Sequence, residues 1–174
     1  MDFIPVNLET DGTLDLCIQF RRDAHIVSFG DDASFNVGET KAWFTRLNTF
    51  DNSGFYHVFK NNKVIGQIEF RNGLLDEQGV KFGYINLLYL LPEFRNKGLG
   101  SELEDFIFAQ FKHEQCAYAQ LRYIPANLQA VSFYHKHGWT DVGDIGERGQ
   151  LAEKRLTIQG VQEGFMPRGI FGMR

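Results

Sequence analysis

"LLPEFRNKGLGSELEDFIF", residues 90–108, joins the end of an apolar run to a helical pattern through a basic turn carrying Gly98 and Gly100. Where a strand runs straight into a helix, the first helical N–H groups lack partners, and the helix dipole adds partial positive charge at the same end. Glycine at 98 and 100 clears side chains from that backbone, while Arg95 and Lys97 add charge, so a phosphate or pyrophosphate is the natural guest. A tight turn that uses glycine for positive φ and basic residues for solubility is the plainer reading, and the turn alone leaves both open. A P-loop is excluded, because "RNKGLGS" reverses the order of its Gly-Lys pair. A dinucleotide-binding turn would follow the first strand of an alternating unit, whereas this one follows a mid-chain strand.

Outward from the turn, "FGYINLLYLL" is nearly continuous in apolar residues, as a strand covered on both faces would be. After Gly98 the period lengthens: Leu99, Leu103, Phe106 and Ile107 share a helical face, with Glu102, Glu104 and Asp105 in the first turns. Upstream, "GFYHVFK" and "KVIGQIEFR" flank Asn-Asn as a hairpin, and "NGLLDEQGVK" is a polar loop. "TLDLCIQF" alternates and predicts a first strand, followed by two short helical pieces broken near Gly30. Downstream, "CAYAQLRYI" predicts a strand that Pro125 ends, and "NLQAVSFYHKHG" a helix capped by Asn127 and closed by Gly138. "WTDVGD" and "EKRLTIQ" complete the pattern as strands, giving an α/β sheet with helices on both faces.

The bulk numbers bound the function classes. A chain of 174 residues with 43% hydrophobic content fills one core, so one domain over residues 1–159 is expected. The tail, residues 160–174, carries glycines and a proline beside Phe165, Met166, Ile170 and Phe171; it reads as a partly ordered end or as a segment that docks on a partner subunit. A formal charge of −4 argues against a sequence-independent nucleic-acid binder. Cys17 and Cys116 lack paired spacing, and neither a signal-peptide pattern nor a membrane-length apolar run is present, which predicts a cytoplasmic protein without membrane contact.

The turn Arg95-Asn96-Lys97-Gly98-Leu99-Gly100 closely resembles the acyl-CoA pyrophosphate loop of the GNAT superfamily of N-acetyltransferases. "LYLLPEFR" is similar to that family's strand end, and "NLQAVSFYHKHGW" to its Asn-x-x-Ala-x-x-Phe-Tyr helix. The likeness spans roughly residues 12–158, with the specific motifs between 88 and 139. It implies a mixed, mostly antiparallel sheet of about seven strands, in which one pair of parallel strands splays to admit acetyl-CoA. Carried over residue by residue, it implies that backbone of Leu88, Tyr89 and Leu90 meets the pantetheine arm and amides from Asn96 through Ser101, Leu99 included, take the pyrophosphate. Asn127 would contact the cofactor from the facing helix, a role an N-cap can share.

The implied reaction is direct attack of an uncharged amine on the thioester, which needs one group to take a proton and one to give it. Tyr134 stands at the family's general-acid position, and a phenol is protonated at neutral pH. The strand before the loop lacks the family's frequent Glu and has Asn86 near that position, so the base is either water held by Asn86 and backbone carbonyls or Glu69 on "GQIEF". A solvated Glu69 beside Arg71 is the competing reading. His135 and His137 do not share a helical face, and no metal is expected. Cys116 reads as a buried structural thiol.

The acceptor, a small-molecule or peptide amine, is expected near Phe35, Trp43, Phe44, Phe55 and Tyr56, with Asp141, Asp144 and Glu147 at the last turn. Such an aromatic and acidic surround suits a cation, though the same residues could form core and solvated loop. The rival readings are a catalytically silent acyl-CoA-binding regulatory module and, from the tail, a subunit of an assembly such as a homodimer.

Overall fold

Asn61 and Asn62 both take the left-handed backbone, at φ 51° and 61°, that a two-residue hairpin turn needs. They join β2 (Ser53–Lys60) to β3 (Lys63–Leu75), which pairs in turn with β4 (Lys81–Leu90), all antiparallel. This computed structural model describes residues 1–157, so the expected tail lies outside it. Before the hairpin come β1 (Asp2–Pro5), α1 (Thr13–Phe29) and α2 (Val37–Thr49). After it come a 3-10 turn at Pro92–Phe94, α3 (Leu99–His113), β5 (Tyr118–Tyr123), α4 (Leu128–Lys136), β6 (Thr140–Gly146) and β7 (Gly149–Arg155). The seven strands form one sheet in the order β1-β2-β3-β4-β5-β7-β6, with β4 and β5 parallel and the other pairs antiparallel. The mixed α/β sheet expected from the sequence is the one observed.

Alternation along the central strands assigns the two faces. Phe55, Glu69 and Leu87 are cross-strand partners, as are His57, Gln67 and Tyr89, and these rows lie under α1 and α2. The intervening positions, Ile68, Phe70 and Ile85, face α3, whose Leu103, Ile107 and Phe111 are fully buried against them. Each such side chain contributes about 1.5–3 kcal/mol of burial free energy. Phe70 and Phe111 meet edge to face with ring centroids 5.6 Å apart.

Four expectations are corrected. "TLDLCIQF" is the first half of α1, not a strand: Cys17 and Ile18 pack toward α2 while Leu16, Phe20 and Ala24 pack on β4, and two apolar faces on one helix imitate alternation. The edge strand is instead β1, where Pro5 needs no ladder donor and Phe3 stacks on Phe106 of α3 with centroids 3.9 Å apart. The polar loop shrinks to a turn about Asp76, whose carboxylate accepts from the N–H groups of Gln78 (2.9 Å) and Val80 (2.8 Å). The last strand begins at Gly149 rather than Glu153, because Tyr123 of β5 pairs with Gln150. Glu104, read as a first-turn charge, is only 3% exposed.

Candidate active site

A register slip opens the site. Glu69 pairs with Leu87 and Phe70 with Ile85, so Asn86 is an extra residue on β4 with no counterpart on β3. A bulge of this kind bends its strand and raises its twist. On the other side of β4, the parallel pairing with β5 stops at Ile85 and Leu121, although both strands run on. Between the diverging ends lies a cavity of about 1030 Å³, bounded by Ala24, Val27 and Ser28 of α1 at one side and by α4 and the glycine turn at the other. Asn86 lines it, and its Oδ1 is buried without a hydrogen-bond partner among the described residues.

The glycine turn forms the cavity's basic end. Asn96 and Gly98 take positive φ, 56° and 77°, which turns successive peptide groups and makes a concave run of amides. Gly98 is the N-cap of α3 and offers no side chain to cap it. Ser101 N–H turns back to Gly98 O at 3.2 Å, which leaves the amides ahead of it for a ligand. A Cβ on Gly100 would fall 2.6 Å from the Phe133 ring of α4, so glycine here is what lets the two helices close on the turn. Arg95 is tied to the strand end, its Nε donating to Leu90 O at 2.8 Å and its guanidinium 5.4 Å from the Tyr89 ring centre.

The structure therefore gathers most of the expected residues about one cavity. Leu88, Tyr89 and Leu90 line it from β4, and Arg95, Asn96, Gly98, Gly100 and Ser101 from the turn. Asn127 lines it too, while its Oδ1 accepts from Ala130 N–H at 3.1 Å as the cap of α4. Leu99 turns its side chain into the core, and Lys97 places its ammonium 5.9 Å from the Phe94 ring centre.

Tyr134 lines the cavity half-buried, its ring 5.8 Å from Tyr123 and 5.8 Å from Trp139. Burial, and then the nearby Glu104 carboxylate, push its phenol well above the ordinary range. Glu104 itself accepts from Trp139 Nε1 at 2.5 Å and pairs with His137 Nδ1. A second cluster closes the wall beside Tyr134: the Tyr123 hydroxyl donates to Asp141 Oδ1 at 2.7 Å, and His135 Nε2 lies 3.1 Å from Asp141 Oδ2. Burial, together with this acceptor and its charge, raises the Tyr123 phenol to about 12.

Glu69 lies on the face under α1 and α2 and is fully buried. Its Oε1 accepts from Arg21 Nε at 3.0 Å and Gln67 Nε2 at 2.8 Å; its Oε2 accepts from Trp43 Nε1 at 2.6 Å and from Arg21 Nη2. Those four donors match the roughly four lone-pair positions of a carboxylate. The ion-pair partner is thus Arg21 of α1, while Arg71 stacks 4.0 Å over Phe50, and Glu69 is not solvated.

The expected acceptor surround is dispersed. Phe44 and Phe55 are core residues with rings 5.1 Å apart, and Tyr56 packs on Phe106 at the opposite face. Phe35 and Trp43 border a shallower cavity of about 460 Å³ between α1 and α2. Asp144 in β6 and Glu147 at the β6–β7 turn are exposed. Sequence reasoning missed Arg21, Glu104 and Arg122, the last of which lines the main cavity and donates to Gly149 O at 3.0 Å. Glu104 had a legible signal: it sits three and four positions before Ile107 and Phe108, on the apolar stripe of α3.

Among curated proteins none matches the chain. Solved structures do. An acetyltransferase from Thermus thermophilus aligns at TM-score 0.71 and 16% identity over 89% of this chain and 96% of its own. The PaiA N-acetyltransferase of Thermoplasma acidophilum, solved with coenzyme A, aligns at 0.63 and 19% over 89% and 99%. An aminoglycoside 6′-N-acetyltransferase from Acinetobacter haemolyticus aligns at 0.63 and 13% over 84% and 95%. At such identities these likenesses show the fold, and the acetyltransferase (GNAT) family profile adds a sequence match over residues 19–139. With the splayed parallel strands, the bulge at Asn86 and the glycine turn, that match makes this chain a member of the GNAT acetyltransferase family.

Proposed function

We propose that the protein transfers an acetyl group from acetyl-CoA to a primary amine by direct attack within a ternary complex. The observation that carries this reading is the continuity of the cleft: unpaired β4 edge, concave amides of the turn and the Tyr134 phenol all border one cavity. Acetyl-CoA would supply an activated thioester. The edge of Leu88–Leu90 offers backbone groups to an extended amide-bearing arm, and the turn offers N–H groups and Arg95 to a pyrophosphate. Tyr134, held protonated by its surroundings, would give its proton to the departing sulfur.

We assign Glu69 a structural part, since a carboxylate already accepting four N–H donors has no position left for an ammonium proton. Asn86 Oδ1, a buried acceptor in the cleft without a partner among the described residues, would orient the attacking nitrogen or a water that carries its proton away. The saturated Glu69 is also the observation that favours the silent acyl-CoA-binding module. Titration calorimetry with acetyl-CoA, comparing the parent with a Gly98→Glu, Gly100→Glu variant, tests the binding step. Thiol release across amino acids, polyamines, aminoglycosides and peptides tests the transfer. Binding lost in the folded variant, with thiol released by one amine class, supports the enzyme. Binding without release by any class supports the silent module, and no binding by the parent overturns both.

A further inference from the structure

We propose that His137, clamped by buried Glu104, forms with Lys136 a subsite for the 3′-phosphate at the adenosine end of CoA; this rests on the acetyl-CoA reading above. Gln129, Ser132, Phe133, Lys136 and His137 recur at helical spacing and all line the main cavity. Their order gives the stripe a direction. Gln129 Nε2 donates to Asn96 Oδ1 of the turn at 3.3 Å, Phe133 abuts Gly100, and His137 stacks on Phe133 with ring centroids 4.0 Å apart. The stripe thus starts at the pyrophosphate turn and ends in two nitrogen-bearing side chains.

The Glu104 pairing decides how His137 can act. Glu104 is 3% exposed and takes Trp139 Nε1 on one oxygen and His137 Nδ1 on the other. With the Nδ1 proton directed at the carboxylate, the ring's orientation is set, and Nε2 has no protein partner among the described residues. A clip between α3 and the end of α4 would need only a second N–H donor, which an amide supplies; an imidazole adds a second nitrogen on the cavity wall, where the side chain stays 18% exposed. A phosphate with several acceptor oxygens is matched by the doubly protonated ring, which keeps Nδ1–H on Glu104 and donates Nε2–H, together with an ammonium. CoA carries such a group on the ribose, beyond its pyrophosphate.

Calorimetry with CoA and with 3′-dephospho-CoA tests this on the full chain. The parent is expected to bind CoA at least about tenfold more tightly than 3′-dephospho-CoA. His137→Gln, which keeps a donor for Glu104, and Lys136→Gln, at an exposed position, are each expected to lower CoA affinity several-fold and leave 3′-dephospho-CoA affinity unchanged. Thermal melts establish that each variant is folded, and Lys136→Gln keeps the test alive should His137→Gln unfold. Equal parent affinities for the two ligands, or losses that are the same for both ligands, overturn the subsite while leaving the acetyl-CoA reading intact. A parent that binds neither ligand overturns both.

Discussion

Tyr134 and Glu69 show how differently two candidate proton-transfer groups fare once placed. Tyr134 lines the cavity, and the proposed acid role predicts that Tyr134→Phe lowers kcat by about 10²–10⁴-fold. Acetyl-CoA affinity, read by calorimetry, should stay within about twofold of the parent, because the phenol oxygen matters to the sulfur only as it leaves. Glu69 has the opposite profile. Arg21→Met would strip a buried carboxylate of two donors, and such breakage costs about 3–5 kcal/mol. Urea unfolding should show that loss, and adding Glu69→Gln to Arg21→Met should restore part of it. A Glu69→Gln variant with parent stability and abolished turnover would instead return Glu69 to the chemistry.

At the scale of elements, the bulge on β4 decides whether a cleft exists. Asn86 is the unpaired extra residue, so deleting it leaves both flanks of β4 in their present pairing with β3 and on their present faces. The deletion variant is expected to fold, by far-UV circular dichroism and a cooperative melt, yet to lose acetyl-CoA binding, because β4 then follows β5 further. Retained binding would mean the splay does not depend on the bulge.

The layer under α1 predicts an acid sensitivity. His57 lies buried with its Nε2 3.3 Å from Cys17 Sγ, and burial lowers its imidazole below the ordinary value of 6.5, the neighbouring Gln67 side chain opposing the shift. Below that pH the unfolded chain binds a proton that the folded chain refuses, so this contribution to stability is complete above about pH 6.5 and is lost as pH falls from there. Urea midpoints at pH 7.5 and 5.5 should differ accordingly, and His57→Gln should narrow the difference. The Cys17 thiol, raised to about 12 by burial and by Glu69, stays neutral throughout.

For the whole molecule, a cavity walled by α1, the splayed strands and α4 ties ligand binding to the stability of both helical layers. Acetyl-CoA at about 100 times its Kd should stabilise the fold by about 2.7 kcal/mol. For a chain of this size that is a rise in Tm of roughly 5–10 °C. The Gly98→Glu, Gly100→Glu variant should show no rise.

Local chemistry determined much of this in the sequence. A hairpin set by two adjacent asparagines, a helix capped by Asn127, and a glycine turn between strand and helix depend on residues a few positions apart, and the sequence lists those in order. The family's motifs lie in that same local stretch, which is why the fold and the glycine turn were both legible there. Only the tertiary structure decided that α1 is a helix, since its two apolar faces answer to α2 and β4 separately. It alone decided that Asn86 is a bulge, because register belongs to a pair of strands. Likewise Glu69 with Arg21, and Glu104 with His137 and Trp139, are each joined across some thirty to fifty residues of chain. A buried charge is settled by whichever donors packing brings to it, and spacing along one element cannot name a donor carried by another.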